Sequence, residues 1–140
     1  MKTLFLSILA TGMLFSACNS NNSSTTASTT GAATDGPVMK FEKETHDFGK
    51  IKPGDTVTYD FKFTNIGKSP LIITSGYASC GCTTPTWPKA PVKPGDGGVI
   101  HVKFDSKGKT IGLQDKLITI TANTKPAENR VHLIGEIAPN

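Results

Sequence analysis

Thr45 to Thr84 reads THDFGKIKPGDTVTYDFKFTNIGKSPLIITSGYASCGCTT and sets the architecture expected of the rest of the chain. At its centre Val57, Tyr59, Phe61 and Phe63 alternate with Thr58, Asp60, Lys62 and Thr64. Successive side chains of a strand point to opposite faces. Period two with one apolar face therefore predicts an antiparallel strand buried on one side. Ahead of it, Lys52-Pro53-Gly54-Asp55 predicts a type II turn, because Pro53 presets the first central φ and Gly54 supplies a positive φ at the second. Behind it, Asn65 to Pro70 forms a loop and Leu71-Ile72-Ile73-Thr74 opens a further strand that runs toward Tyr77.

The flanking sequence continues the pattern. Val38 to Phe41 is a short opening strand, and Thr45 to Ile51 follows with Phe48 and Ile51 as anchors and Gly49 at a bend or bulge. Past the cysteines, Pro85, Pro88 and Pro91 restrict Thr83 to Pro91 to irregular or edge structure, since proline cannot donate to a ladder. Val92-Lys93-Pro94-Gly95-Asp96 then repeats Ile51-Lys52-Pro53-Gly54-Asp55. Without a gap, Ile100, Val102, Lys103 and Phe104 fall on Tyr59, Phe61, Lys62 and Phe63. Either one turn-and-strand unit occupies two positions of a single sandwich, or the turns share chemistry alone. Leu117 to Ala122 and Val131 to Ile137 are the last strands, and no segment carries a 3.6-residue period. About seven short strands over about 100 residues predict an all-β, immunoglobulin-like antiparallel sandwich spanning residues 38–140.

The first 37 residues have another character. Lys2, the apolar run Leu4 to Phe15 and the small pair Ser16-Ala17 form a secretory signal peptide over residues 1–17. Phe15-Ser16-Ala17-Cys18 resembles the lipobox of bacterial lipoproteins, which makes Cys18 the lipidation site and the anchor to the membrane. Residues 18–37 hold the lipidated cysteine and a tether rich in Ser, Thr and Asn. This segment has too few apolar side chains to offset chain entropy. Such a tether reaches about 20–25 Å. The expected location is the bacterial cell envelope, on the outer membrane or a periplasm-facing membrane surface. The net charge of +4 is spread over scattered lysines, without a basic run or aromatic interleaving, which argues against nucleic acid as a partner.

HDFG, IKPGD, FKFTNIGKSPLII, SCGCTTPTWP, PVKPGD and HLIGEI, in that order from His46 to Ile137, resemble the bacterial family called domain of unknown function 1573. Its members are similar to the Ig-like domains of the Hydin and major sperm protein group. The resemblance covers Phe41 to Ile137. It implies an Ig-like sandwich, often exported or lipid-anchored, and implies no activity and no catalytic residues.

Cys80 and Cys82 carry the chemistry that can be read from the residues. In an oxidising compartment the pair is a candidate disulfide, with Gly81 supplying the bend a tight ring needs. Reduced, two thiolates could hold a soft metal such as Cu(I), whereas zinc would need two more ligands. The pair could also be inert small residues at a strand end. His46, His101 and His132 stand singly and are expected on the surface. Trp87, between prolines, is either a lid on the core or a contact for a partner. No nucleophilic triad, paired-carboxylate spacing or phosphate loop is present. The expected function is a non-enzymatic binding or scaffolding module without a cofactor, acting on other envelope proteins by strand addition or surface contact. The alternative is a copper-binding or thiol-redox protein using Cys80 and Cys82.

Overall fold

The computed structural model describes residues 35–139; the expected signal peptide, Cys18 and the expected tether up to residue 34 lie outside the described residues. The described chain contains eight strands: β1 (Met39–Phe41), β2 (Thr45–Ile51), β3 (Thr56–Asn65), β4 (Ile73–Ala78), β5 (Thr83–Thr86), β6 (Gly97–Asp105), β7 (Gly112–Ala122) and β8 (Glu128–Ile137). They form two four-stranded sheets, one ordered β1-β3-β6-β5 and the other β2-β8-β7-β4.

The alternation of β3 holds. Phe61 and Phe63 are 1% and 2% exposed, while Val57 and Tyr59 are half-buried toward the open end of the same face. Opposite them in β6, Ile100, Val102 and Phe104 are fully buried. Ile118 and Ile120 of β7, with Val131, Leu133 and Ile137 of β8, supply the other half of the core.

Three features differ from the sequence expectation. The strand added to the expected seven is β5, an edge strand that contains Pro85. Strand β7 begins at Gly112 rather than Leu117. Its first half hides the usual pattern because Gln114 and Lys116 take inward positions: Gln114 Nε2 donates to the Thr110 carbonyl, and Lys116 Nζ donates to Gln114 Oε1 and sits 5.2 Å from the Phe104 ring centre. Finally, β2 runs parallel to β8, so the sandwich is antiparallel in every other named strand pair but not in this one. The register of that pair breaks between Asp47 and Lys50, where Gly49 has φ 71° and its N–H is taken by the Asp47 carboxylate at 2.7 Å, giving the bulge expected at Gly49.

The structure resolves the repeat in favour of a two-position unit. Strands β3 and β6 are antiparallel neighbours, and each begins at a Lys-Pro-Gly-Asp turn with a glycine of positive φ, 94° at Gly54 and 83° at Gly95. In each turn the Asp N–H donates to the Lys carbonyl. Each strand then ends against the other's turn: the Ser106 N–H donates to the Asp55 carbonyl and the Asn65 N–H to the Asp96 carbonyl. The gapless alignment places Asn65 on Ser106, and both are fully buried. A local two-fold axis thus runs through the middle of this sheet.

Asp35 and Gly36 also hydrogen-bond to the loop after β3. The Asp35 carbonyl accepts from the Ser69 hydroxyl and the Gly36 carbonyl from the Lys68 N–H. Gly67 permits this approach, since a Cβ there would lie 2.6 Å from the Val38 nitrogen.

Candidate functional site

Strand β4 ends at Ala78, the Ser79 N–H donates to the Leu117 carbonyl, and the chain then turns through Cys80-Gly81-Cys82 into β5. The Thr83 N–H closes the turn on the Cys80 carbonyl at 3.3 Å, and the Cys82 carbonyl accepts from Asp105, which ties the turn to the end of β6. The two Cα atoms are 5.3 Å apart and the sulfurs lie at bonding distance. Thr83 is 4% exposed, and its Oγ1 lies 3.6 Å from Cys80 Sγ and 3.9 Å from Cys82 Sγ. Cys80 and Cys82 are both half-buried, Cys82 packs against the core, and Gly81 at the corner is exposed.

Beside this turn is an open cavity of about 540 Å³ lined by Gly81, Cys82, Thr84, Lys103, Asp105, Lys107 and Lys109. Outward alternation of β6 supplies Lys103 and Asp105. The Asp105 carboxylate then accepts the Lys107 N–H at 2.8 Å, which folds the following loop back and brings Lys107 and Lys109 to the same side. No ion pair among the described residues engages Lys103, Lys107 or Lys109. Lys116 is close enough to feel Lys109: burial, then the Lys109 charge, lowers its pKa, with Asp115 opposing. The sequence points to the cysteines but not to this lysine group, because only the turn set by Asp105 makes Lys107 and Lys109 neighbours of Cys82. The outward parity of Lys103 and Asp105 was the one available signal.

The other singled-out residues are elsewhere. Trp87 packs over Gly76 of β4, where an added Cβ would meet the ring at 2.9 Å, and Lys89 Nζ lies 3.6 Å from the ring centre on the indole. The Trp87 indole N–H is buried without a hydrogen-bond partner among the described residues. His46 is half-buried and stacks on Tyr59 at 3.5 Å, a contact between the two sheets rather than a free surface position. Burial, then Lys43, lowers its pKa, with Asp47 opposing. His101 pairs with Asp60 and His132 with Asp115, both on exposed faces. Among the described residues no group of three or more His, Cys, Asp or Glu is placed to hold a metal ion, so a copper site would rest on the two sulfurs alone.

The sheet edges are poorly suited to strand addition. In β5 the residues bonded to β6 are those in phase with Cys82, namely Thr84 and Thr86. Pro85 therefore turns its nitrogen, which has no hydrogen, to the open side. The edge of β2 is broken by its bulge, and β1 is three residues long. The β4 edge lies alongside β5, with Trp87 packed on it.

The family described as "Protein of unknown function (DUF1573)" matches residues 39–137, and the chain belongs to it. No curated protein matches the chain. Among solved structures, a Porphyromonas gingivalis W83 protein of unknown function is similar over 75% of this chain and 49% of its own, at 21% identity and TM-score 0.65. The ASH/PapD-like domain 7 of human CEP192 is similar over 99% of both chains, at 10% identity and TM-score 0.57. The Vibrio cholerae secreted serine protease VesC is similar over 74% of this chain and 23% of its own, at 13% identity and TM-score 0.54. The chain thus spans about half of the Porphyromonas protein and under a quarter of VesC. These likenesses establish a PapD-like, Ig-like fold.

Proposed function

We propose that this DUF1573 domain, of a family with no established enzymatic activity, is a binding or scaffolding module, tethered by lipid to the bacterial cell envelope, that presents its Cys80–Cys82 tip to another envelope protein. The groove beside the cysteine pair supports this. Three lysines converge there at the surface and outnumber the one carboxylate, Asp105; no ion pair among the described residues engages them, and none contributes to the core. Like charges held together are unfavourable and favour an anionic surface as occupant. The tether reading rests on the lipobox and on the Ser/Thr/Asn-rich segment behind it.

A photo-crosslinking residue at Thr84 should capture the partner in intact cells. The same residue at Asp96, about 20 Å away along β6, should not. Capture at Thr84 should be lost in K103E/K107E/K109E. Equal capture from both positions, or capture indifferent to the lysines, would remove the tip as the contact. If the reduced protein instead binds one copper per chain, lost in Cys80→Ser, the copper reading of the pair replaces this one.

The anchor has its own test. Cys18→Ala should move the protein wholly from the membrane fraction to the soluble fraction and leave its melting curve unchanged, because the proposed tether separates the lipidated residue from the sandwich domain. Two or more acyl chains anchor stably, each buried CH₂ contributing about 0.8 kcal/mol, so their loss is decisive. A variant that keeps its membrane association after signal removal would refute the lipobox.

A further inference from the structure

The surroundings of the two sulfurs are those of a group built to carry negative charge. Thr83 Oγ1 lies within reach of both, and with the residue 4% exposed it meets little competing water. The groove, where Lys103, Lys107 and Lys109 outnumber the single carboxylate of Asp105, is lined by Cys82 and not by Cys80. A thiolate gains from a hydrogen-bond donor and from nearby ammonium groups. We propose, building on the reading that the tip faces a partner, that Cys80 and Cys82 form a thiol–disulfide exchange site that oxidises a dithiol of an exported protein, with Thr83, Lys103, Lys107 and Lys109 as positioning residues.

The step balances without a further reactant. A thiolate of the partner dithiol, drawn by the lysines, attacks Cys82 Sγ. A partner–Cys82 disulfide forms, the Cys80–Cys82 bond breaks, and its electron pair stays on Cys80 Sγ, where the Thr83 hydroxyl donates to it. The partner's second thiolate attacks its own bridged sulfur and releases Cys82 as a thiolate. Of the two protons lost from the partner, one is taken up by the pair and the other by solvent, so the reduced pair keeps one thiolate charge for the Thr83 hydroxyl and the lysines to stabilise. Two electrons pass to the pair and the partner leaves as a disulfide. Donor and lysines stabilise the reduced form more than the uncharged disulfide, which favours electron flow in this direction.

The chain has three cysteines, so the full-length protein carrying Cys18→Ala leaves this pair as the only thiols. Oxidised protein should react with glutathione, an anionic thiol, about three- to tenfold faster than its K103Q/K107Q/K109Q variant, while the cationic thiol cysteamine should show no such drop. In the reduced protein, Thr83→Val should move the ultraviolet thiolate titration to higher pH, with about three- to tenfold less thiolate at neutral pH. A purely structural threonine would leave that titration in place. Equal glutathione rates in both proteins, or an unmoved titration, would overturn the exchange site.

The Cys80→Ser/Cys82→Ser variant should melt close to the parent, because a bridge across one intervening residue closes too short a loop to restrict the unfolded chain much. If the exchange rates are flat while Thr84 of this double variant still captures the partner, the exchange site falls and the binding module stands. If the rates behave as expected and capture from Thr84 fails throughout, the chemistry stands and the partner reading falls.

Discussion

Phe61→Ala should lower the unfolding free energy by about 3–5 kcal/mol in urea melts, and Lys62→Ala by less than about 0.5 kcal/mol. Adjacent residues differ this much because a strand alternates its faces. Phe61 is 1% exposed at the centre of β3, faces Ile100 across the sheet and meets the Tyr59 ring edge-on at 4.8 Å. Removing it leaves a cavity between two sheets that cannot collapse without moving both. Lys62 points outward opposite Val99 and touches nothing the core requires. Similar losses for the two variants would mean that the register of β3 is shifted by one residue.

What the sequence showed of the fold followed the same logic. Where apolar and polar residues alternate cleanly, as in β3, β6 and the end of β7, the strand and its buried face were both legible. They were not legible where a polar side chain points inward with a local partner, as Gln114 and Lys116 do in β7. Nor was there a local sign that β2 would lie parallel to β8, because that pairing is set by where the chain returns about 85 residues later. Proline excluded a central strand between Thr83 and Pro91, and the structure accordingly has an edge strand there.

The candidate site was half legible. Two cysteines one residue apart announce chemistry by their type alone. The groups that would tune them do not. Thr83 looks like an ordinary strand threonine until the turn brings its hydroxyl to both sulfurs, and Lys103, Lys107 and Lys109 look like ordinary surface lysines of one strand end and loop until the fold sets them beside Cys82. The twin turns were visible as a repeat, but the symmetry relating them required β3 and β6 to be neighbours. Asn65, read from sequence as the start of a loop, proved to be a buried joint of that arrangement.

Asn65→Ala should therefore destabilise the domain by about 3–4 kcal/mol, although it removes a polar side chain. Asn65 is fully buried and its amide makes four hydrogen bonds to backbone: Oδ1 accepts from Val38 and Gly67 at 3.2 and 3.1 Å, and Nδ2 donates to the Ser69 and Val92 carbonyls at 2.8 and 3.0 Å. One side chain thus fixes the lead into β1, the loop after β3 and the segment before the second turn. Alanine would leave two N–H and two carbonyl groups without it, and an unsatisfied buried polar group costs about 1–3 kcal/mol, reduced where water can enter. Asn65→Asp should be at least as damaging, because it keeps the acceptor but turns a carboxylate toward two carbonyl oxygens. Ser106 occupies the symmetry-related place, with a hydroxyl that accepts from the Gly54 N–H and lies within hydrogen-bonding distance of the Lys52 and Asp55 carbonyls. Ser106→Ala, which removes one hydroxyl instead of a whole amide, should cost about 1–2 kcal/mol. Urea melts of the three variants test both the size and the order. An Asn65→Ala protein within about 1 kcal/mol of the parent, or one more stable than Ser106→Ala, would show that the joint at the end of β3 holds nothing that water cannot replace.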